Sequence, residues 1–209
     1  GSPCNNNPEK TRIVKYRLDG LTPSIESYSQ KIEVGHAQDL SIEYDENGKM
    51  FLWTSNEGGK GASRIDFNGT STTFTDFDSI IPLNNTINNS GYEDGASTPT
   101  VSTDSKYLVI RTRTKGTPEQ VNRIFVYRLS DILNFSYQQS GYKPLYEWDV
   151  HPDQHNKGGW GPIQGILCDN DIIYCISGLI ETNKNKLLCA YTLGGKLLYK
   201  KEIITGKIW

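Results

Sequence analysis

The chain has 209 residues, with 22 Lys+Arg against 24 Asp+Glu for a net charge of −2, and 35% of it is hydrophobic. That balance gives no basic footprint for nucleic acid, and the longest apolar run, Ile172–Ile180, is broken by Ser177 and Gly178 and is too short for a membrane-spanning helix. Twelve Tyr against one Met, with abundant Ser, Thr and Asn, argue for a turn-rich all-β protein and against a helical bundle.

Residues 1–10, opening on Gly1-Ser2-Pro3, read as a disordered N-terminal segment or a processing remnant. The first expected hairpin is Thr11–Gly20 with the strand that follows, turning at Asp19-Gly20. Three later segments share its grammar of a strand rich in Ile, Tyr and Arg followed by a turn. They are Ser63–Gly69, Asn122–Ser130 and Asn185–Gly195. Asp-Gly, Asn-Gly and Gly-Gly are the residues that tight hairpin turns require.

Before each of these three lies an inner hairpin. The first runs Asp39–Tyr44, turns at Asp45–Gly48 and returns through Lys49–Thr54. The second runs from Pro99 through the turn Thr103–Ser105 to Lys106–Arg111, and the third runs from Gln164 through Asp169-Asn170 to Asp171–Ile176. The inner hairpins begin at 39, 99 and 164, so a unit of four antiparallel strands recurs about every 60 residues, which is the signature of propeller blades. A helical turn is expected over Leu129–Leu133.

This predicts an outer half-blade at 11–34 and blades at roughly 36–80, 96–150 and 161–205, about three and a half in all. The half-blade lacks two inner strands. That leads us to expect a propeller incomplete at its C-terminus, closed by a missing segment or a companion chain. An open antiparallel sandwich is the alternative.

Four cysteines at 4, 168, 175 and 189 form no CxxC, and His36, His151 and His155 show no metal-ligand spacing with them. No metal or cofactor is expected. Cys168, Cys175 and Cys189 read as small buried hydrophobes. Alternatively Cys175 and Cys189, symmetric about Thr182, form a cross-strand bridge. The Asn-x-Ser/Thr sequences at Asn68, Asn84, Asn88 and Asn134 read as turn chemistry.

In a propeller the openings of the innermost strands converge on the central channel. Gly35–Leu40 opens the first such strand with His36, Gln38 and Asp39, Gln164 holds the matching place in the last blade, and Thr98 lies near it in the middle one. Polar residues recurring there are ligand contacts or a water-filled plug.

The run Gly35-His36-Ala37-Gln38-Asp39-Leu40, followed by Asn47-Gly48 and Phe51–Asn56, resembles the helveticin J family of large bacteriocins. It is also similar to propeller domains of phage receptor-binding proteins and of teichoic-acid-linked proteins of Gram-positive bacteria, in which later blades open with sequences like Pro162–Ile166. The resemblance implies a propeller of five blades when complete. It further implies a secreted or extracellular location and recognition of a surface glycopolymer such as teichoic acid, with antimicrobial action in the bacteriocin branch.

Sugar sites pair aromatic faces with amide and carboxylate groups. Trp160, Trp148 and Tyr92 lie in or beside polar loops, with His36, Gln38, Asp39, Thr98 and Gln164 as polar partners. Trp53 is expected in a blade core, and Tyr16, Tyr127 and Tyr191 in the scaffold. The expectation is binding without catalysis, near His36, Gln38, Asp39, Thr98, Trp160 and Gln164. Two alternatives remain: a protein-interaction propeller, and a glycoside hydrolase using Asp39 with Glu93 or Asp94. No Gly-x-Ser-x-Gly, His-Glu-x-x-His or phosphate loop occurs.

Overall fold

The computed structural model describes residues 12–32, 39–56, 61–67, 72–77, 97–113, 121–134, 142–151, 162–178 and 186–203. A ribbon of β1 (Val14–Arg17) and β2 (Ser24–Tyr28) comes first. Three four-stranded antiparallel sheets follow in chain order. The first holds β3 (Ser41–Tyr44), β4 (Met50–Ser55), β5 (Ala62–Phe67) and β6 (Thr72–Phe77). The second holds β7 (Thr98–Val101), β8 (Tyr107–Arg113), β9 (Asn122–Arg128) and β10 (Tyr146–Asp149), with the expected helical turn α1 (Leu129–Leu133) between the last two strands. The third holds β11 (Ile163–Asp169), β12 (Ile172–Ser177), β13 (Lys186–Thr192) and β14 (Leu197–Ile203). This is an all-β propeller architecture with four-stranded blades, and the repeat predicted it.

Hydrophobic cores lie between sheets. Trp53, Ala62 and Phe77 of the first sheet pack on Val101, Leu108, Ile110, Phe125 and Tyr127 of the second. Val109, Ile124 and Val126, on the second sheet's other face, pack on Ile163, Ile173, Leu187 and Cys189 of the third. This explains why β9 is a nearly continuous apolar run. Phe125 and Tyr127 serve one core while Ile124 and Val126 serve the next, as expected of a strand buried on both faces. Arg123 clamps the edge strand β10 to β9 through Asp149 at 2.6 Å and Glu147 at 2.8 Å.

The inner hairpins turn as their residues dictate. The Asp45 carboxylate accepts from the backbone N–H of Asn47 and Lys49, at 2.9 and 2.8 Å, and Gly48 takes φ 76°. Ser105 at φ 56° and Asn170 at φ 50° fill the corresponding turns of the other two sheets. Hydroxyl groups stitch neighbouring hairpins together. Ser41 Oγ accepts from Val101 N–H at 3.0 Å, Ser105 Oγ accepts from Tyr44 N–H at 3.2 Å, and Thr103 Oγ1 donates to Asp169 at 2.7 Å.

Two sequence expectations need correction. Asp19-Gly20 is not a tight hairpin, because Arg17 pairs with Ser24 and the loop spans 18–23. Tyr16 is not the counterpart of buried Tyr127 and Tyr191: it is 52% exposed, since nothing among the described residues packs over the ribbon's outer side. Cys168, Cys175 and Cys189 are free and buried, as read from the sequence; Cys175 and Cys189 are register partners on β12 and β13, as the symmetry about Thr182 required, but the alternative bridge between them is not formed.

Candidate functional site

The openings of the first strands bring part of the expected constellation together. Thr98, the first residue of β7, pairs in register with Arg111 on β8, and both side chains are buried. The Arg111 guanidinium crosses to the third sheet and donates to the Ile163 carbonyl at 3.3 Å. Asp39, just before β3 in the first sheet, lies in the electrostatic reach of the same guanidinium. One cation therefore touches or faces all three blades at the end of the sheets where the first strands begin.

Burial holds the Asp39 carboxyl above its ordinary range, with the charge of Arg111 pulling it back down. Half-buried Asp39 thus keeps a proton more readily than a surface aspartate. Gln164 is exposed at an irregularity of the ladder between Ile163 and Gly165, so its amide stands clear of strand pairing, next to the carbonyl that Arg111 holds. Arg111 thus links Asp39, Thr98 and the Ile163 carbonyl, and Gln164 follows Ile163 in sequence. His36, Gln38 and Trp160 lie outside the described residues, as do Tyr92, Glu93 and Asp94.

Arg111 was not singled out from sequence. At the end of Leu108-Val109-Ile110 it reads as a charge leaving a strand for solvent. The overlooked signal was its place opposite Thr98 in the hairpin, which put it at the channel.

Trp148, expected beside a sugar site, is committed elsewhere. Its indole N–H donates to the Leu193 carbonyl at 3.0 Å, and its ring lies 4.9 Å from that of Tyr191. It seals the outer boundary between the second and third sheets. Trp53 is fully buried as expected, and its indole N–H donates to Glu43 at 2.6 Å. No cluster of His, Cys, Asp and Glu able to hold a metal occurs among the described residues.

Residues 6–208 match the model of a family described as the phage 5-bladed beta propeller receptor binding platform domain. The chain belongs to this family. Membership agrees with the four-stranded blades and gives the receptor-binding platform domain its role, the recognition of a surface receptor. The propeller and receptor-binding parts of the sequence resemblance stand on the same match. A search of curated proteins finds no match. Among solved structures the platform domain is similar to one described as a crystal structure of the eukaryotic initiation factor, at 9% identity and a TM-score of 0.34. That likeness covers 92% of this chain and 52% of the other, so the domain spans about half that structure's length; it is too remote to argue from. No helix among the described residues is long and apolar enough to cross a membrane.

Proposed function

We propose that the platform domain recognises a glycopolymer of the Gram-positive cell envelope, of the teichoic acid type, at the channel end marked by Asp39, Thr98, Arg111 and Gln164, outside the cell. The observation that supports this reading is Arg111, a buried cation that donates to the Ile163 carbonyl of the third sheet, stands opposite Thr98 in register and lies within electrostatic reach of Asp39. A teichoic-type polymer alternates phosphodiesters with polyol or sugar hydroxyls. A guanidinium suits the first, and Asp, Thr and Gln side chains suit the second. His36, Gln38 and Trp160 complete the proposed site from adjoining sequence. A bacteriocin role of the helveticin J type rests on the resemblance over 35–56 alone, so the proposal is of binding.

The test is co-sedimentation with purified Gram-positive walls, before and after stripping their teichoic acids. Retention that vanishes on stripping is expected. Gln164→Ala, at an exposed position, combined with Asp39→Asn is expected to weaken retention at least about tenfold, the loss of about two ordinary hydrogen bonds. Unchanged retention of that variant removes the site. Retention indifferent to stripping removes the polymer. Release of reducing ends would instead make the domain a glycoside hydrolase, and failure to bind walls while retaining one defined protein would make it a protein-interaction propeller.

A further inference from the structure

The second sheet departs from the pattern of the other two in two places, and both departures meet at one pocket. The first is its inner turn. In the first sheet the Asp45 N–H bonds to the Lys49 carbonyl around 46–48, and in the third Asp169 pairs with Ile172 around 170 and 171. In the second sheet the Ser102 N–H reaches the Tyr107 carbonyl around a longer turn, 103–106. The second departure is the link between third and fourth strands. It covers 68–71 in the first sheet and 193–196 in the third, whereas β9 and β10 are joined by 129–145, which opens with α1. On a repeating scaffold, binding groups sit preferentially on such irregular connections.

Both departures lie at the end of the second sheet away from Thr98 and Arg111, where β7 turns into β8 and β9 runs into α1. Hydrogen bonds fix them to each other. The Lys106 carbonyl accepts from the Leu129 N–H at 2.8 Å, which ties the turn to the helix. Ser102 Oγ accepts from the N–H groups of Lys106 and Tyr107 at 3.0 and 2.9 Å, which pins the turn itself. Between turn and helix lies a pocket of about 280 Å³ lined by Ser105, Lys106, Tyr107, Arg128 and Ser130.

This lining holds two cations and three hydroxyl groups and no carboxylate. The Lys106 ammonium stands 2.9 Å from Asp104, which positions it and offsets one charge. Arg128 is exposed, and its side chain has no partner among the described residues, so a net positive charge remains. Ser105 Oγ accepts from the Tyr44 N–H, which leaves its own O–H to donate. Tyr107 and Arg128 are register partners on one face of β8 and β9, so the ring walls the space in front of the guanidinium. Guanidinium, ammonium and hydroxyl donors match the oxygens of a tetrahedral anion, and the ring offers an apolar side to any carbon attached to it.

The geometry points to a second binding site here, a pocket for a phosphate group held by Arg128 and Lys106 with Ser105 and Ser130 as further donors. The phosphate is free or is carried on a larger molecule. The inference stands apart from the channel reading, because this pocket and Arg111 lie at opposite ends of the second sheet.

The experiment titrates isotope-labelled protein with inorganic phosphate at constant ionic strength and follows the backbone amides by NMR. Saturable shifts at Lys106, Tyr107, Leu129 and Ser130 are expected. Arg128→Gln should weaken the affinity at least about tenfold, the loss of one charge-assisted hydrogen bond, while Lys201→Gln, which removes an exposed cation on β14, should leave it unchanged. Shifts that never saturate, or an affinity that survives Arg128→Gln, overturn the pocket. Saturable shifts at Thr98, Ile163 and Gln164 instead give the phosphate to the Arg111 end, and overturn it equally. Dimethyl phosphate as a second titrant separates the sources. A response equal to that of inorganic phosphate assigns the pocket to internal diesters of a polymer, and a response to inorganic phosphate alone assigns it to a terminal or free phosphate.

Discussion

The indole of Trp148 on β10 lies flat against Gly195, the second glycine of the β13–β14 turn, so that a methyl group on Gly195 would sit 2.5 Å from the Trp148 ring. The contact joins the outer corner of one blade to the outer turn of the next.

Two different demands therefore meet at Gly195: a φ of 85° and a wall of indole. Gly48 has only the first, with φ 76° and open space where its methyl would go. Gly48→Ala should cost about 1–2 kcal/mol from backbone strain. Gly195→Ala should cost that and a further ~1–3 kcal/mol of overpacking. Urea unfolding of both variants measures the difference, and equal losses would mean that Trp148 yields.

Glu43 is buried in the first sheet, accepting from Trp53 at 2.6 Å and from Arg64 at 2.8 and 2.5 Å, while Arg64 stacks on Phe51 with its guanidinium carbon 3.3 Å from the ring centre. Glu43→Ala strands a partly buried cation and a buried indole N–H together, and should lower stability by about 3–5 kcal/mol. Adding Arg64→Ala should cost less than it does alone, because the stranded charge has gone. Additive losses in denaturant melts would mean that the two side chains do not depend on each other.

Burial pushes the Cys168 and Cys175 thiols up to about 12. Both should resist iodoacetamide at pH 8 in the folded protein and react promptly in urea, read as added mass on each cysteine peptide. Because the folded values lie above those of an unfolded chain, stability is full below about pH 8.5 and falls as pH rises toward 12. Replacing both by Ser should flatten that alkaline decline. Rapid native alkylation of Cys175 would contradict its burial.

Asp39 carries its charge against a desolvation cost that Arg111 only partly offsets. Its folded value is raised, so the wild-type protein should lose this contribution as pH rises above the ordinary carboxylate range. Asp39→Asn should lie closest to wild type in acid and exceed it in stability at pH 7, where the wild-type carboxyl must carry its charge. Thermal melts at the two pH values check it, and a variant weaker at pH 7 would show that the ion pair dominates.

Local chemistry announced the blades. Asp45–Gly48, Thr103–Ser105 and Asp169-Asn170 each stand where a hairpin turns, and the Cys175–Cys189 register followed from counting outward from the loop. The binding end was less legible. Strand openings located Asp39 and Thr98, but Arg111 acquires its meaning only when the third sheet brings the Ile163 carbonyl to it. Trp148 failed for the converse reason: its neighbours in sequence are polar, while its neighbours in space are Leu193, Tyr191 and Gly195. Pairing within a hairpin is written locally, and contact between sheets is not. The 18–23 loop shows the same limit at small scale, since Asp19-Gly20 permits a tight turn that the Arg17–Ser24 register does not use.

Because each apolar core is owned jointly by two neighbouring sheets, no blade can be lost, gained or exchanged without stripping half the interior from the ones beside it. The number of blades can therefore change only by events large enough to rebuild the packing on both sides of the blade exchanged.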